Sequence, residues 1–184
     1  LRNFADKAIE EETLKVILHT NKNDKCIQNV VNYPMGKDQV LKEGFGIDIN
    51  NSKNAAFQFK AVAKFHNNQD KTPVFHYMTS FTNETAPTPE KAMELGKEIF
   101  KPITDTHLSV IGTHFKEREK CSYHDHVVVS PTNFLDGTML YGDNTTNFAL
   151  AQRMADITGQ PTQLVVRKEN ETEWKCSTIF VPQD

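Results

Sequence analysis

Residues 107–114, His107-Leu-Ser-Val-Ile-Gly-Thr-His114, and 124–129, His124-Asp-His-Val-Val-Val129, read as two strands joined by the charged segment 115–123. Strand side chains leave alternate faces, so His124 and His126 share one face. His114 closes the first strand and reaches that face if the two strands are neighbours. Three imidazoles converging from adjacent strands make a facial site with open positions, which suits a catalytic cation better than a closed structural one. Spacing alone also allows a plainer reading, in which His-x-His is two polar residues on the exposed face of a strand.

Outward from this pair, the pattern alternates between helix and strand. Residues 14–20 read as a strand ending at the turn Asn21-Lys-Asn-Asp24. Asp24 can cap a helix through Tyr33, which Pro34 and Gly36 terminate. Asn51-Ser52 opens a second helix to about Asn67, with Ala55, Ala56, Phe59, Val62, Ala63 and Phe65 mostly at helical spacing. Residues 74–81 alternate as a strand, and Thr88-Pro89 starts a helix to about Phe100. Asp136-Gly137 is a turn, residues 144–158 a helix closed by Gly159, and residues 163–167 and 175–181 the final strands. The expected fold is α+β: an antiparallel β-sheet with helices packed on its faces. No repeat, low-complexity tract or linker divides residues 1–184, so a single domain is expected.

Composition sets the outer limits. With 38% hydrophobic and 24% charged residues, the chain has the make-up of an ordinary globular protein. No apolar run approaches the roughly 18 residues that cross a bilayer, and no signal peptide or membrane segment is expected. Cys26, Cys121 and Cys176 lack C-x-x-C spacing, which argues for a reducing cytoplasm rather than a disulfide framework. A net charge of −3 does not by itself suggest nucleic acid, although residues 53–71 carry local cations. Of the other histidines, His19 and His66 are expected at the surface. His76 either lines a groove or is hydrogen-bonded in the core, and His107 has no assigned role.

From Val30 onward, the order of motifs resembles the P-type mobilisation relaxases of the HUH endonuclease superfamily. Val30-Val-Asn-Tyr33, then Lys37 and Gly44-Phe-Gly-Ile-Asp48, match the family's helix-borne tyrosine and the turn after it. His76-Tyr-Met-Thr-Ser-Phe81 and Thr88-Pro-Glu90 match its histidine strand and Pro-Glu helix start. Thr113-His114, His124-Asp-His126 and Asp136-Gly137 match its third motif. The ordered set spans residues 30–140 and is far more specific than any one motif.

The resemblance implies nicking and rejoining of one DNA strand at a plasmid or integrative-element transfer origin. Tyr33 would be the nucleophile, leaving a 5′-phosphotyrosyl enzyme and a free 3′-hydroxyl. His114, His124 and His126 would hold a divalent metal ion, Mn2+ or Mg2+. Ser80, His76 and Lys37 would contact DNA. The partners would be single-stranded or hairpin origin DNA and accessory transfer proteins in the bacterial cytoplasm, and the chain would be the N-terminal part of a longer protein. The chemistry is coherent. A phosphodiester is anionic, so attack needs its charge neutralised, and a phenol must lose its proton to become a good nucleophile.

The sequence departs from the family in places. Phe115-Lys116 follow His114 where the family often carries an acid that orients a histidine. Glu117, Asp125 or Asp136 are the candidates to replace it from outside the ligand set. The segment between His114 and His124 is longer than usual, and Ser130 stands where the family has Asn, with Asn133 further on. Tyr77 and Tyr123 should point away from the histidines, while Tyr141 lies in a loop that can approach. Phe115 and Tyr141 are candidates to stack bases. Two other readings stand beside the relaxase. One is an HUH replication initiator, disfavoured because residues 144–158 contain no tyrosine. The other is a DNA-binding module that keeps the fold without strand transfer.

Overall fold

The computed structural model describes residues 12–36, 39–50, 52–114 and 123–183, which form seven strands and four helices. In chain order they are β1 (Glu12–Leu18), α1 (Asp24–Asn32), a 3-10 turn (Tyr33–Met35), β2 (Gln39–Phe45), α2 (Ser52–Phe65), β3 (Phe75–Ser80) and α3 (Pro89–Thr104). There follow β4 (His107–His114), β5 (His124–Asn133), α4 (Asn144–Thr158), β6 (Thr162–Lys168) and β7 (Lys175–Phe180). Local chemistry explains the helix ends. Thr88 caps α3 by accepting from Lys91 N at 3.2 Å, with Pro89 in the first turn. Asp143 caps α4, and Gly159 ends it in the left-handed region at φ 67°.

All seven strands share one sheet, in the order β2-β4-β5-β3-β1-β6-β7. Every neighbouring pair is antiparallel except β1 and β6, which run parallel. The sheet is therefore mixed rather than wholly antiparallel. Strand β2 was not anticipated from the sequence, and α1 is capped by Asn23 rather than Asp24. β1 starts two residues earlier than expected, while α3 and β5 run further.

Alternation along the strands sorts the two faces. One face presents Leu14, Val16, Tyr77, Ile111, Val127, Val129 and Leu164 to Leu95, Ile99 and Phe100 of α3 and to Leu150, Ala151 and Met154 of α4. Each such fully buried side chain contributes about 1.5–3 kcal/mol, which makes this the main core. The opposite face is covered at one end by Ile27 and Val31 of α1 and Ala55, Ala56 and Phe59 of α2, packed on Val128 and Leu108. Beyond that cover, the same face continues to His126, His124 and Ser80. No helix among the described residues is long and apolar enough to cross a membrane.

Candidate metal centre

Register brings the histidines together. His126 on β5 lies opposite Gly112 on β4, which places His114, two residues on, beside the His-x-His pair. The ligand atoms of His114, His124 and His126 all lie within 4.8 Å of one another. Ring centroids are 4.4 Å apart for His114 and His126, 4.6 Å for His114 and His124, and 5.2 Å for His124 and His126.

The donor set fits a divalent cation. Burial, followed by the neighbouring His76, His124 and His114, holds His126 well below the usual histidine range, so its ring is neutral and keeps a lone pair. Among the described residues its Nε2 is buried without a hydrogen-bond partner, while its Nδ1 lies 2.9 Å from His76 Nε2. An orphaned ring nitrogen whose sister atom is already engaged is the usual state of a histidine ligand. His76 is itself neutral, pushed down to about 3 by burial first and then by His19 and Arg167.

Tyr33 completes the cluster. Its ring centroid is 4.6 Å from that of His126 and 5.8 Å from those of His114 and His76. The ring is half exposed, so it faces both the trio and solvent. Its placement follows from the end of α1, where Pro34 forces a 3-10 turn that crosses β4 directly above Gly112. A Cβ on Gly112 would overlap the carbonyl oxygen of Pro34, so only glycine admits the turn this close. The remaining tyrosines are elsewhere. Tyr77 and Tyr123 belong to the main core on the opposite face, and Tyr141 is 63% exposed.

Not every expected site residue takes its expected place. Asp125 is not placed to orient a histidine. It alternates to the far face of β5, where its carboxylate accepts hydrogen bonds from Thr113 Oγ1 at 2.5 Å and Thr79 Oγ1 at 3.2 Å beneath Gly96 of α3. Burial in that position raises it to about 7, against the opposing pull of Thr113 and Thr79. Asp136 is no substitute, because it is engaged by Thr138 within its own turn. His76 and Ser80, expected to contact DNA, are 6% and 2% exposed, so neither presents a side chain to solvent. Lys37, Glu117 and Phe115 lie outside the described residues.

Sequence reasoning missed the residues that back the site. His19, expected at the surface, is half buried and stacks on His76, with 5.7 Å between centroids and 14° between planes. Its Nδ1 lies 3.0 Å from Glu169 Oε2. His66 is likewise half buried, with Nε2 3.2 Å from Phe134 O. Only long-range strand pairing reveals the link between His19 and His76, so no local signal could have found it.

An exposed phenol resting on three imidazoles, on the open face of an α+β sheet, defines a nuclease domain of the relaxase type. The family model described as "Relaxase: MobA/VirD2-like, nuclease domain" matches residues 30–160, and the chain belongs to that family of the HUH superfamily, whose members nick DNA at transfer origins. No curated protein and no solved structure matches the chain.

Proposed function

We propose that the protein nicks and rejoins one strand of transfer-origin DNA through Tyr33, with His114, His124 and His126 holding Mn2+ or Mg2+. The observation that carries this reading is the contact of the Tyr33 ring with His114 and His126, two of the three candidate ligands. When bound, a divalent cation supplies charge neutralisation at a non-bridging phosphate oxygen. The phenolic oxygen of Tyr33, after losing its proton, bonds to phosphorus while the bond from phosphorus to the 3′-oxygen breaks. The departing 3′-oxygen takes up a proton, leaving a 5′-phosphotyrosyl link and a 3′-hydroxyl. Because a phosphodiester is exchanged for a phosphotyrosine, the bond energy is retained and rejoining is the same step reversed. His76 serves here as a positioning residue: with His126 Nε2 given to the cation, His126 Nδ1–H donates to His76 Nε2.

The substrate is the single-stranded or hairpin form of the origin, and accessory transfer proteins would present it in the bacterial cytoplasm. The test is an SDS-resistant adduct between the protein and origin oligonucleotides, formed with Mn2+ or Mg2+ and absent in Tyr33→Phe. Binding without an adduct would overturn this reading in favour of a DNA-binding module.

A further inference from the structure

We infer that Lys15, Arg167 and Trp174 form a second contact with the same DNA strand, in which one unpaired base stacks on Trp174 and the two cations hold the phosphates leading to it. This inference rests on the proposed nicking site, and its residues lie on the sheet face that carries the histidines. Met78 lies opposite His126, and Lys15 lies opposite Met78. Ile17 lies opposite both His76 and Arg167. Paired residues of neighbouring strands share a face, and strands are spaced by about 4.8 Å. Lys15 is thus two strands, or about 10 Å, from His126, within reach of a short run of nucleotides.

Trp174 lies in the connection entering β7. Its ring centroid is 4.8 Å from Arg167 Cζ and 5.7 Å from Lys15 Nζ. Both cations rise from the sheet, so the indole lies across them and is held by cation–π attraction. The residue is half buried, which leaves part of the ring to solvent. An aromatic ring backed by cations is how single strands are gripped without regard to sequence, since every base offers a π face and every nucleotide a phosphate.

The charges point to an anion. Among the described residues no carboxylate forms an ion pair with Lys15 or Arg167. Arg167 donates from Nη1 to Glu171 O at 2.7 Å, but its Nε is buried with no hydrogen-bond partner among the described residues. Burial also lowers Lys15 from its ordinary value, as expected for an ammonium lacking a counter-charge. The acid nearest Arg167 in sequence, Glu169, is already held by His19, Thr20 N and Asn21 N. Unmatched cations on a chain of net charge −3 are unfavourable until a phosphate arrives. The family match ends at residue 160, before Arg167 and Trp174, so family membership does not supply this contact.

The protein has one tryptophan, so its fluorescence reports this ring alone. The complete chain, with chelator present, is titrated with oligodeoxythymidylate and with a duplex of equal length. Saturable quenching by the single strand, weak with the duplex, is the expected result. By anisotropy of a labelled oligonucleotide, Trp174→Ala should bind about tenfold more weakly, with Trp174→Phe recovering most of the loss. Lys15→Gln and Arg167→Gln should each lower the dependence of log affinity on log salt by about 0.7. Calorimetric Mn2+ binding identical to wild type would show that each variant keeps its fold. Absence of quenching, or wild-type affinity in Trp174→Ala, overturns the contact. Adduct formation on origin oligonucleotides is scored separately. An adduct without quenching sinks the stacking seat alone, and quenching without an adduct sinks the nicking reading alone.

Discussion

The ring of Tyr33 meets that of His126 edge-on, at 4.6 Å between centroids and 67° between planes. One residue follows a surface helix and the other lies mid-sheet. They meet because Gly112, opposite His126, has no side chain to hold off the turn that follows α1. Tyr33 and the candidate metal ligands are thus brought together by a close backbone approach.

Substituting Gly112 should separate the two functions of the site. In Gly112→Ala the new Cβ displaces Pro34, and Tyr33 moves with it. A shift of about 1 Å at a nucleophile can cost about 100-fold in rate. Adduct formation should fall by that order while calorimetric Mn2+ binding changes little. A wild-type adduct rate would show that this turn does not set the position of Tyr33.

Removing the acceptor behind His126 should weaken the metal. His76→Leu leaves His126 Nδ1 with no ring nitrogen to face, and loss of such a supporting partner typically costs about 10–100-fold in affinity. His76→Gln restores an acceptor and should recover part of the loss. Equal Mn2+ affinity in all three proteins, measured by calorimetry, would dismiss the role given to His76.

Metal binding should stabilise the fold through all three histidines. Free Mn2+ at about 100 times its dissociation constant should add about 2.7 kcal/mol, which chelator reverses. Replacing any one of His114, His124 or His126 by Ala should remove most of that gain. A gain that survives His124→Ala would place the ion elsewhere.

The far face of β5 should tolerate little added volume. A Cβ at Gly96 would run into the carboxylate of Asp125, which Thr79 and Thr113 hold in place. Gly96→Ala is expected to destabilise by about 1–3 kcal/mol, the usual cost of overpacking. Urea unfolding that leaves the midpoint unchanged would mean that α3 shifts freely.

Stability should fall with rising pH through Glu12. This carboxyl is fully buried, and burial raises it above 4.5, outweighing the hydrogen bonds from Thr85 and Thr82. A group raised in the folded state supports stability below its unfolded value and loses that support as pH rises through its folded value. Glu12→Gln cannot ionise, so its metal-free stability should decline less than wild type on going from about pH 4.5 upward. Parallel curves for the two proteins would show that Glu12 does not contribute.

Much of the site was legible because its geometry is local. His-x-His on a strand fixes a shared face, and the same alternation sends Asp125 to the other side, away from the histidines it is one candidate to orient. Strand β2 was harder to read, since Lys42, Glu43 and Gly44 break any apolar alternation and pairing with β4 makes the strand. The stack of His19 on His76 and the alignment of Lys15 with His126 depend on register across β1, β3 and β5. Such register is a property of the closed sheet and leaves no mark on a short window of sequence.

The parallel joining of β1 to β6 sets Glu12 beside Thr162, so an interior strand made at one end of the described chain waits for a partner made near the other. Closing so wide a loop is slow, and a strand with one bare edge invites association with other chains. As the nascent polypeptide emerges, the half of the sheet bearing Lys15 and Arg167 would be the last to seal. Any fragment ending before residue 162 would keep that edge open and would be prone to aggregate.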